Sequence, residues 1–190
     1  MQRGKARVAA LMAAGAAVFA EKGYDAATMT EIATQAGASI GSLYQFFPTK
    51  ELLAASLQNE QIDALSQMLD ALREDAAGRT ASALADSLFD HLSDFLASHP
   101  AFIALADRRD TDKARKQAAR AHLGGQIAAL LSQASPPLPP GRAETMAVII
   151  LQLMKTTLIL VGADDEPMRD AVLTELRQML RTHLDAIHGT

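Results

Sequence analysis

The chain has 190 residues, of which 49% are apolar, and 18 basic against 22 acidic side chains give it a net charge of −4. This length and apolar content suffice for a buried core, which excludes disorder as the main state. The absence of Cys excludes disulfide scaffolds, Cys-ligated metal sites and thiol nucleophiles. We identify no secretory signal and expect a cytoplasmic protein.

The most apolar window, 146–161, contains Gln152 and Lys155 and is shorter than the roughly 20 residues that a bilayer requires, so it predicts a buried helix and no membrane span. Charge is unevenly distributed along the chain. Residues 1–55 carry five basic and four acidic side chains, a net of +1, and the remainder carries a net of −5. The acidic excess therefore belongs to the long C-terminal part, and it does not argue against a nucleic-acid partner for the N-terminal part.

An apolar stripe at helical spacing predicts the first helix, formed by Val8, Leu11, Met12, Gly15 and Phe19. Gly23 suits the left-handed position that ends a helix. Thr28 and Glu31 form a capping-box pattern that begins a second helix, which Gly37 ends. Ser39 can cap a short third helix that reaches about Phe46.

A long helix is predicted from Thr49 to about Leu72, and another around 84–95 that Pro100 ends. A polar break at 107–110 precedes a helix that reaches Leu131. The proline-rich segment 136–140 is a linker, and it is followed by helices over about 142–162 and 166–187. No segment favours a strand. The sequence therefore predicts an all-α fold of about nine helices.

Two short capped helices joined by a tight turn at Gly37 form a helix-turn-helix, whose second helix ordinarily enters the major groove of DNA. The surrounding residues are more specific: FAEKGY at 19–24, TMTEIATQAG at 28–37 and SIGSLYQFFPTKE at 39–51. Together they resemble the DNA-binding domain of the TetR (tetracycline-repressor) family. The resemblance covers about the first 55 residues without gaps.

The resemblance implies a helix-turn-helix DNA-binding domain over 1–50, with its recognition helix at about 39–46, and an effector-binding and dimerisation domain over 51–190. It implies a DNA-binding regulator that is not an enzyme and needs no cofactor. Candidate DNA-contacting residues are Thr28, Thr30, Ser39, Ile40, Gly41, Ser42, Tyr44, Gln45 and Lys50. In the family, the positions that match Thr28, Thr30, Tyr44 and Lys50 commonly contact the DNA backbone.

The chemistry of these residues supports the assignment. Gln45 can hydrogen-bond adenine bidentately, and Ser42 is a permissive polar partner. Gly41 removes a side chain where the backbone must approach DNA closely. Tyr44 and Lys50 can donate to phosphates. For Tyr44 the alternative is a place in the hydrophobic core.

Thr28 has an alternative role as a simple helix cap. Ile40 departs from the family, in which Lys is frequent at this position, so we expect operator binding with a shallow salt dependence. The N-terminal Arg3, Lys5 and Arg7 either contact DNA or form a solvated tail. We assign Leu43, Phe46 and Phe47 to packing.

The last helix carries a continuous apolar stripe with one histidine: Leu173, Leu176, Leu180, His183, Leu184 and Ile187. The helix before it is apolar around most of its circumference and must be buried on more than one side. The resemblance implies that these two helices pair with their mates in a homodimer. Two DNA-binding domains would then read half-sites about 34–36 Å apart.

The resemblance also implies an effector site among the middle helices and the penultimate helix. Candidate lining residues are Met68, Phe89, Phe95, Phe102, His122, Met146, Gln152 and Met154. The alternative for Met and Phe at helical spacing is plain core. Because few of these side chains are polar, we expect a small, mostly apolar effector.

The remaining titratable residues indicate no catalysis. His91 shares a helix face with Asp94, but two potential ligands do not make a metal site. No nucleophile elbow, phosphate-binding loop or metalloprotease motif is present. The basic cluster, which contains Arg108, Arg109, Lys113, Arg115, Lys116 and Arg120, is interpreted as a solvated face.

The sequence thus predicts a dimeric repressor that binds a palindromic operator and is released by a small molecule. One alternative is an activator or a ligand-independent regulator. Another is a helical ligand-binding or partner-binding protein with weak DNA affinity, for which Ile40 and the low charge of the N-terminal part are the support.

Overall fold

The computed structural model describes residues 2–106, 108, 113–160 and 166–188, and these fold into helices without a strand among them. The helices are α1 (Gln2–Ala26), α2 (Met29–Gln35), α3 (Ile40–Phe46), α4 (Lys50–Glu74), α5 (Ala81–Ser98), α6 (Pro100–Ala106), α7 (Lys113–Leu131), α8 (Arg142–Leu160) and α9 (Glu166–His188). The all-α prediction is confirmed. None of the helices, over the residues described, is both long and apolar enough to cross a membrane.

The chain divides into two compact units. The first consists of residues 1–64 and 96–111, and the second of residues 65–95 and 112–190. The helix α4 begins in the first unit and ends in the second. The division differs from the sequence-based boundary at residue 50, which separates the predicted DNA-binding and effector-binding functions. The first unit contains, in addition, the beginning of α4 and the whole of α6.

The first unit has a single hydrophobic core built from α1, α2, α3, α6 and the beginning of α4. Its fully buried members include Leu11, Phe19, Ile32, Leu43, Leu53 and Leu105. Gly15 lies where α1 meets α4, and a Cβ atom there would come within 3.1 Å of a Leu53 side-chain carbon. The absence of a side chain at this position allows the two helices to approach closely.

Local sequence signals set the ends of the short helices as predicted. Thr28 and Glu31 form the complete capping box, and the hydroxyl of Ser39 accepts the main-chain N–H of Ser42 at 3.2 Å. Gly23 and Gly37 have left-handed φ values of 75° and 58°. The backbone of Gly23 is not helical and marks a kink in α1, beyond which the helix extends to Ala26.

The helix α6 was not assigned from the sequence, which treats Pro100 only as a terminator. Pro100 instead begins α6, because a residue in the first turn of a helix needs no main-chain N–H donor. Ala101 and Leu105 of this helix enter the core of the first unit. The carbonyl of Leu105 accepts a hydrogen bond from the Gln58 side chain at 2.6 Å.

Arg108 corrects the interpretation of the basic cluster. Its side chain is 6% exposed, and its guanidinium carbon lies 4.1 Å from the centre of the Tyr24 ring. Cation–π contact with an aromatic face compensates a guanidinium for part of its lost hydration. Arg109 lies outside the described residues, whereas Lys113, Arg115 and Arg120 are exposed and Lys116 is half-buried.

The second unit contains the rest of α4 and most of α5, together with α7, α8 and α9. Its fully buried side chains include Leu84, Leu88, Ile127, Leu130, Leu131, Met146 and Ile150. Polar contacts join its helices. The Ser66 hydroxyl of α4 bonds Gln126 and His122 of α7, and Arg177 of α9 donates to Asp86 and Asp90 of α5.

The capping box also predicts a pH dependence. Hydrogen bonds from Lys22 (2.6 Å) and from Thr28 lower the pKa of Glu31 to about 2 from its ordinary value of 4.5. A carboxyl with a lowered pKa in the folded state stabilises that state above its unfolded pKa, and the contribution is lost as the pH falls from about 4.5 towards 2.

We therefore expect Glu31→Gln to lower the melting temperature at pH 7. When the pH falls to 3, the melting temperature of Glu31→Gln should decrease less than that of wild type. Circular dichroism melts at the two pH values provide the measurement. Glu60→Gln, which removes an exposed carboxylate from α4, is the matched control. Equal acid losses in wild type and Glu31→Gln would contradict this role for Glu31.

Candidate nucleic-acid interface

The helix α3 has one buried face and one exposed face. Leu43, and Phe47 just after the helix, are buried in the core of the first unit. Ile40, Tyr44 and Gln45 are exposed. The fold thus uses the apolar face of α3 for attachment and leaves the opposite face open to a ligand.

Tyr44 is 48% exposed, which removes the alternative that it serves as a core residue. Phe46 differs from the packing role assigned to it, because its ring is exposed beside the buried Phe47. Ser42 is half-buried, and Ser39 is exposed and occupied as the cap of α3.

Gly41 lies in the first turn of α3 with an ordinary helical backbone. A Cβ atom built at this position would meet no heavy atom of the protein within 4 Å. Neither internal packing nor backbone conformation therefore requires glycine here. The open space at Gly41 is compatible with the close approach of the helix to DNA that the sequence predicts.

Thr28 and Thr30 are exposed at the start of α2. The Thr28 hydroxyl donates to the Glu31 carboxylate at 2.8 Å and accepts the Glu31 main-chain N–H at 3.3 Å. Its one proton is therefore engaged in the capping box. A contact from Thr28 to phosphate remains a prediction, and it would have to replace or share this bond.

Lys50 begins α4, and its ammonium group is fully engaged inside the protein. Its Nζ atom donates to the main-chain carbonyls of Tyr24 at 2.8 Å, Asp25 at 3.2 Å and Ala27 at 2.9 Å. An ammonium group has three protons, so these bonds account for all of them. A contact between Lys50 and a phosphate, which the sequence predicts, would therefore have to replace at least one of these three hydrogen bonds.

Tyr24 is the residue around which these contacts are arranged, and the sequence analysis missed its role. Its ring has the Lys50 ammonium 4.5 Å and the Arg108 guanidinium 4.1 Å from its centre. Its hydroxyl donates to the Glu51 carboxylate at 3.1 Å. The partners lie 26, 27 and 84 residues away along the chain, so no local pattern could have indicated them.

The basic residues predicted to form an N-terminal tail lie in the first turns of α1, which are open to solvent where their side chains are described. Lys5 and Arg7 are exposed, and the side chain of Arg3 lies outside the described part. Their contact with DNA stays a prediction.

The effector candidates fall into different environments. Phe89, Phe95 and Met146 are buried in the second unit, and Met68 of the same unit is half-buried. His122 and Gln152 are exposed, and the His122 ring bonds Ser66 at 3.1 Å.

Two effector candidates stand apart from this group. Phe102 is half-buried and belongs to the first unit. The side chain of Met154 lies outside the described residues. A role in effector binding remains a prediction for all eight residues.

The predicted dimer stripe on α9 is divided in two. Leu180 and Leu184 are buried within the chain itself, so they contribute to its own core. Leu173, Leu176 and Ile187 are half-buried, and the exposed ring of His183 contacts the Arg142 guanidinium of α8.

Four large apolar side chains that are exposed, among those described on α8 and α9, lie outside the predicted stripe: Val148, Ile149, Met168 and Met179. A stripe counted by spacing does not tell which side of it faces the chain's own core. The assignment of the predicted stripe to an interface remains a prediction.

No group of three or more His, Asp or Glu side chains in the described ranges could hold a metal ion. His91 instead contacts the main-chain carbonyl of Ser87 at 2.8 Å, one turn earlier on α5.

Comparison with known proteins gives a consistent result. Residues 11–57 match the family described as bacterial regulatory proteins of the tetR family. Residues 81–184 match the tetracyclin repressor-like C-terminal domain. An uncharacterised helix-turn-helix transcriptional regulator of Bacillus subtilis, YuxN, is 26% identical over 86% of this chain. The chain spans 60% of the length of that relative.

Solved structures share the fold at low identity. A TetR transcriptional regulator from Legionella pneumophila superposes with a TM-score of 0.72 at 16% identity, over 90% of this chain and 95% of its own. The regulator FadR from Bacillus subtilis, in complex with stearoyl-CoA, gives 0.67 at 19% identity, over 88% and 96% of the two chains.

The two family matches cover the helix-turn-helix with its exposed α3 face and most of the helices that follow. They agree with the resemblance found in residues 19–51 and extend it to the C-terminal helices. The chain belongs to the TetR family of transcriptional regulators, which are DNA-binding proteins and not enzymes.

Proposed function

We propose that this chain is a homodimeric repressor that binds a palindromic operator through α3, acts in the cytoplasm and is released by a small, mostly apolar molecule. The exposed face of α3, on which Tyr44 and Gln45 lie, is the observation that carries the DNA-binding part. The exposed apolar side chains of α8 and α9 support the dimer. The effector part rests on the apolar character of the candidate residues in the second unit.

Dimerisation is supported by large apolar side chains that are exposed on α8 and α9. Val148 is 58% exposed and Met179 is 65% exposed, on two helices that contact each other. Several large apolar side chains on neighbouring helices are typical of a surface that another protein covers. A second copy of the chain would bury them and would bring two α3 helices to one duplex.

We expect the full chain to sediment as a dimer at micromolar concentration. Val148→Asp should raise the dimer dissociation constant by about tenfold or more, because it would place an unpaired charge in the interface. Since Val148 is exposed in the single chain, the fold should persist. Gln117→Glu, which adds a charge to an exposed site on α7, is the control. A monomeric wild-type chain would contradict the proposed dimer.

Release by an effector requires that the molecule bind better to the conformation that does not fit DNA, since only a difference in affinity shifts an equilibrium. The buried Phe89, Phe95 and Met146 favour an apolar ligand. FadR from Bacillus subtilis, which shares the fold, was solved with stearoyl-CoA. Acyl chains and acyl-CoA thioesters therefore belong in the first panel of compounds.

The central experiment is a mobility-shift titration on DNA upstream of the chain's own gene and of its neighbours, at low salt. We expect a retarded band, and we expect one compound class in the panel to weaken binding by about 5- to 150-fold. A folded dimer that retards none of these fragments would contradict operator binding. A stable complex that no compound weakens would favour a ligand-independent regulator, and a gene deletion that lowers transcription would favour an activator.

We infer that Lys50 orders the turn between α1 and α2 and does not act as a phosphate ligand. Its three hydrogen bonds neutralise the carbonyl end of α1, where a positive charge is favourable. Moving the ammonium to a phosphate would leave three carbonyls without this partner. The turn carries Thr28, so its order also sets where α2 begins.

Lys50→Met keeps the apolar stem and removes the three donors. We expect it to lower the free energy of unfolding by about 1–3 kcal/mol and to leave the slope of log affinity against log salt unchanged. The loss of a phosphate contact would reduce that slope by about one. Lys5→Met, at an exposed position in the first turns of α1, should leave stability unchanged. A reduced slope without a loss of stability for Lys50→Met would contradict the positioning role.

A further inference from the structure

The exposed face of α3 carries no charge. Every residue from Ser39 to Thr49 is neutral, and the ammonium of the next residue, Lys50, is held by three carbonyls. A face of this kind gains little from the release of counterions around DNA. Its discrimination between sequences has to come from hydrogen bonds and apolar contacts with base edges.

Ile40 is the apolar member at the start of that face. It is the first residue of α3 and is 40% exposed, while Leu43 carries the packing of the helix into the core. Ile40 lies one turn before Tyr44 and beside Gly41, where no side chain of the protein fills the space. The branched side chain of Ile40 is therefore exposed next to the open space at Gly41, and it is not a member of the hydrophobic core.

The chemistry of the major groove limits what Ile40 can recognise. The base edges there present hydrogen-bond donors and acceptors, and one apolar group, the C5 methyl of thymine. An aliphatic side chain placed against any other edge would cover a polar atom without a hydrogen bond, which is unfavourable. Thymine is the partner that gains from contact with isoleucine.

We propose that Ile40 is a specificity-determining residue that packs against the C5 methyl of a thymine in each operator half-site. The proposal rests on the operator binding proposed above. Gln45, exposed on the same helix, supplies the hydrogen-bonding counterpart, which suits adenine. We therefore expect the half-site to be recognised at A·T pairs by hydrogen bonds and a methyl contact and not by a charged side chain.

The test uses a duplex selected by the full-length wild-type chain from a pool of random-sequence DNA. Each thymine of a half-site is then replaced singly by deoxyuridine, which pairs in the same way and lacks only the methyl group. Binding is followed by fluorescence anisotropy. We expect one position at which the replacement weakens wild-type binding by about three- to fivefold per half-site, the effect of exposing one methyl group.

The protein variants assign that methyl to Ile40. Ile40→Ala should bind the thymine duplex less tightly and should no longer distinguish thymine from deoxyuridine at that position. Ile40→Val should retain the distinction. Leu52→Ala, which truncates another exposed apolar side chain of the same unit, is the control and should respond to the methyl like wild type.

Three outcomes would overturn the proposal. If wild type ignores the methyl at every thymine, or if Ile40→Ala remains as sensitive to deoxyuridine as wild type, the inference about Ile40 is wrong while operator binding stands. If no duplex is enriched by the wild-type chain, operator binding itself is contradicted and the inference falls with it.

Discussion

The ammonium group of Lys50 closes the carbonyl end of α1 by hydrogen bonds to Tyr24, Asp25 and Ala27. It thereby joins the end of the first helix to the beginning of the fourth, and the two short helices α2 and α3 lie between these points along the chain. Seven-residue helices are too short to be stable by themselves in water. Their position therefore depends on α1 and α4, which precede and follow them. The hydrogen bonds of Lys50 hold the end of α1 and the beginning of α4 together.

The short helices were predictable because their signals are local. The contacts between Thr28 and Glu31, and between Ser39 and Ser42, span three residues, so the sequence displays both partners together. The contact of Arg108 with Tyr24 spans 84 residues, and the sequence offers only an arginine within a basic cluster. Arg108 is buried, whereas Lys113 and Arg115 of the same cluster are exposed, and this difference is a consequence of tertiary packing that composition does not contain.

In the C-terminal helices, too, the sequence does not reveal which apolar side chains the chain buries by itself. The sequence predicted α8 and α9 to within about two residues at the ends that the structure describes. It did not separate Leu180 and Leu184, which the chain buries by itself, from Met168 and Met179, which it leaves exposed. A helix has several faces, and a hydrophobic pattern does not state which neighbour covers each one. Arg177, which bonds Asp86 and Asp90, shows in addition that α9 has a charged side directed to α5.

The inclusion of α6 in the first unit has a consequence for the modularity of this protein. Leu105 lies in the same core as Leu11, Phe19 and Ile32, although most of α5 intervenes in the sequence within the other unit. The unit that contains the helix-turn-helix is thus discontinuous along the sequence. A chimaera that joined residues 1–64 to the C-terminal helices of another regulator would lack α6, the helix that completes the core of the first unit. Exchange of the second unit between such regulators therefore has to conserve a second, distant stretch of sequence, which restricts the recombination events that yield a folded protein.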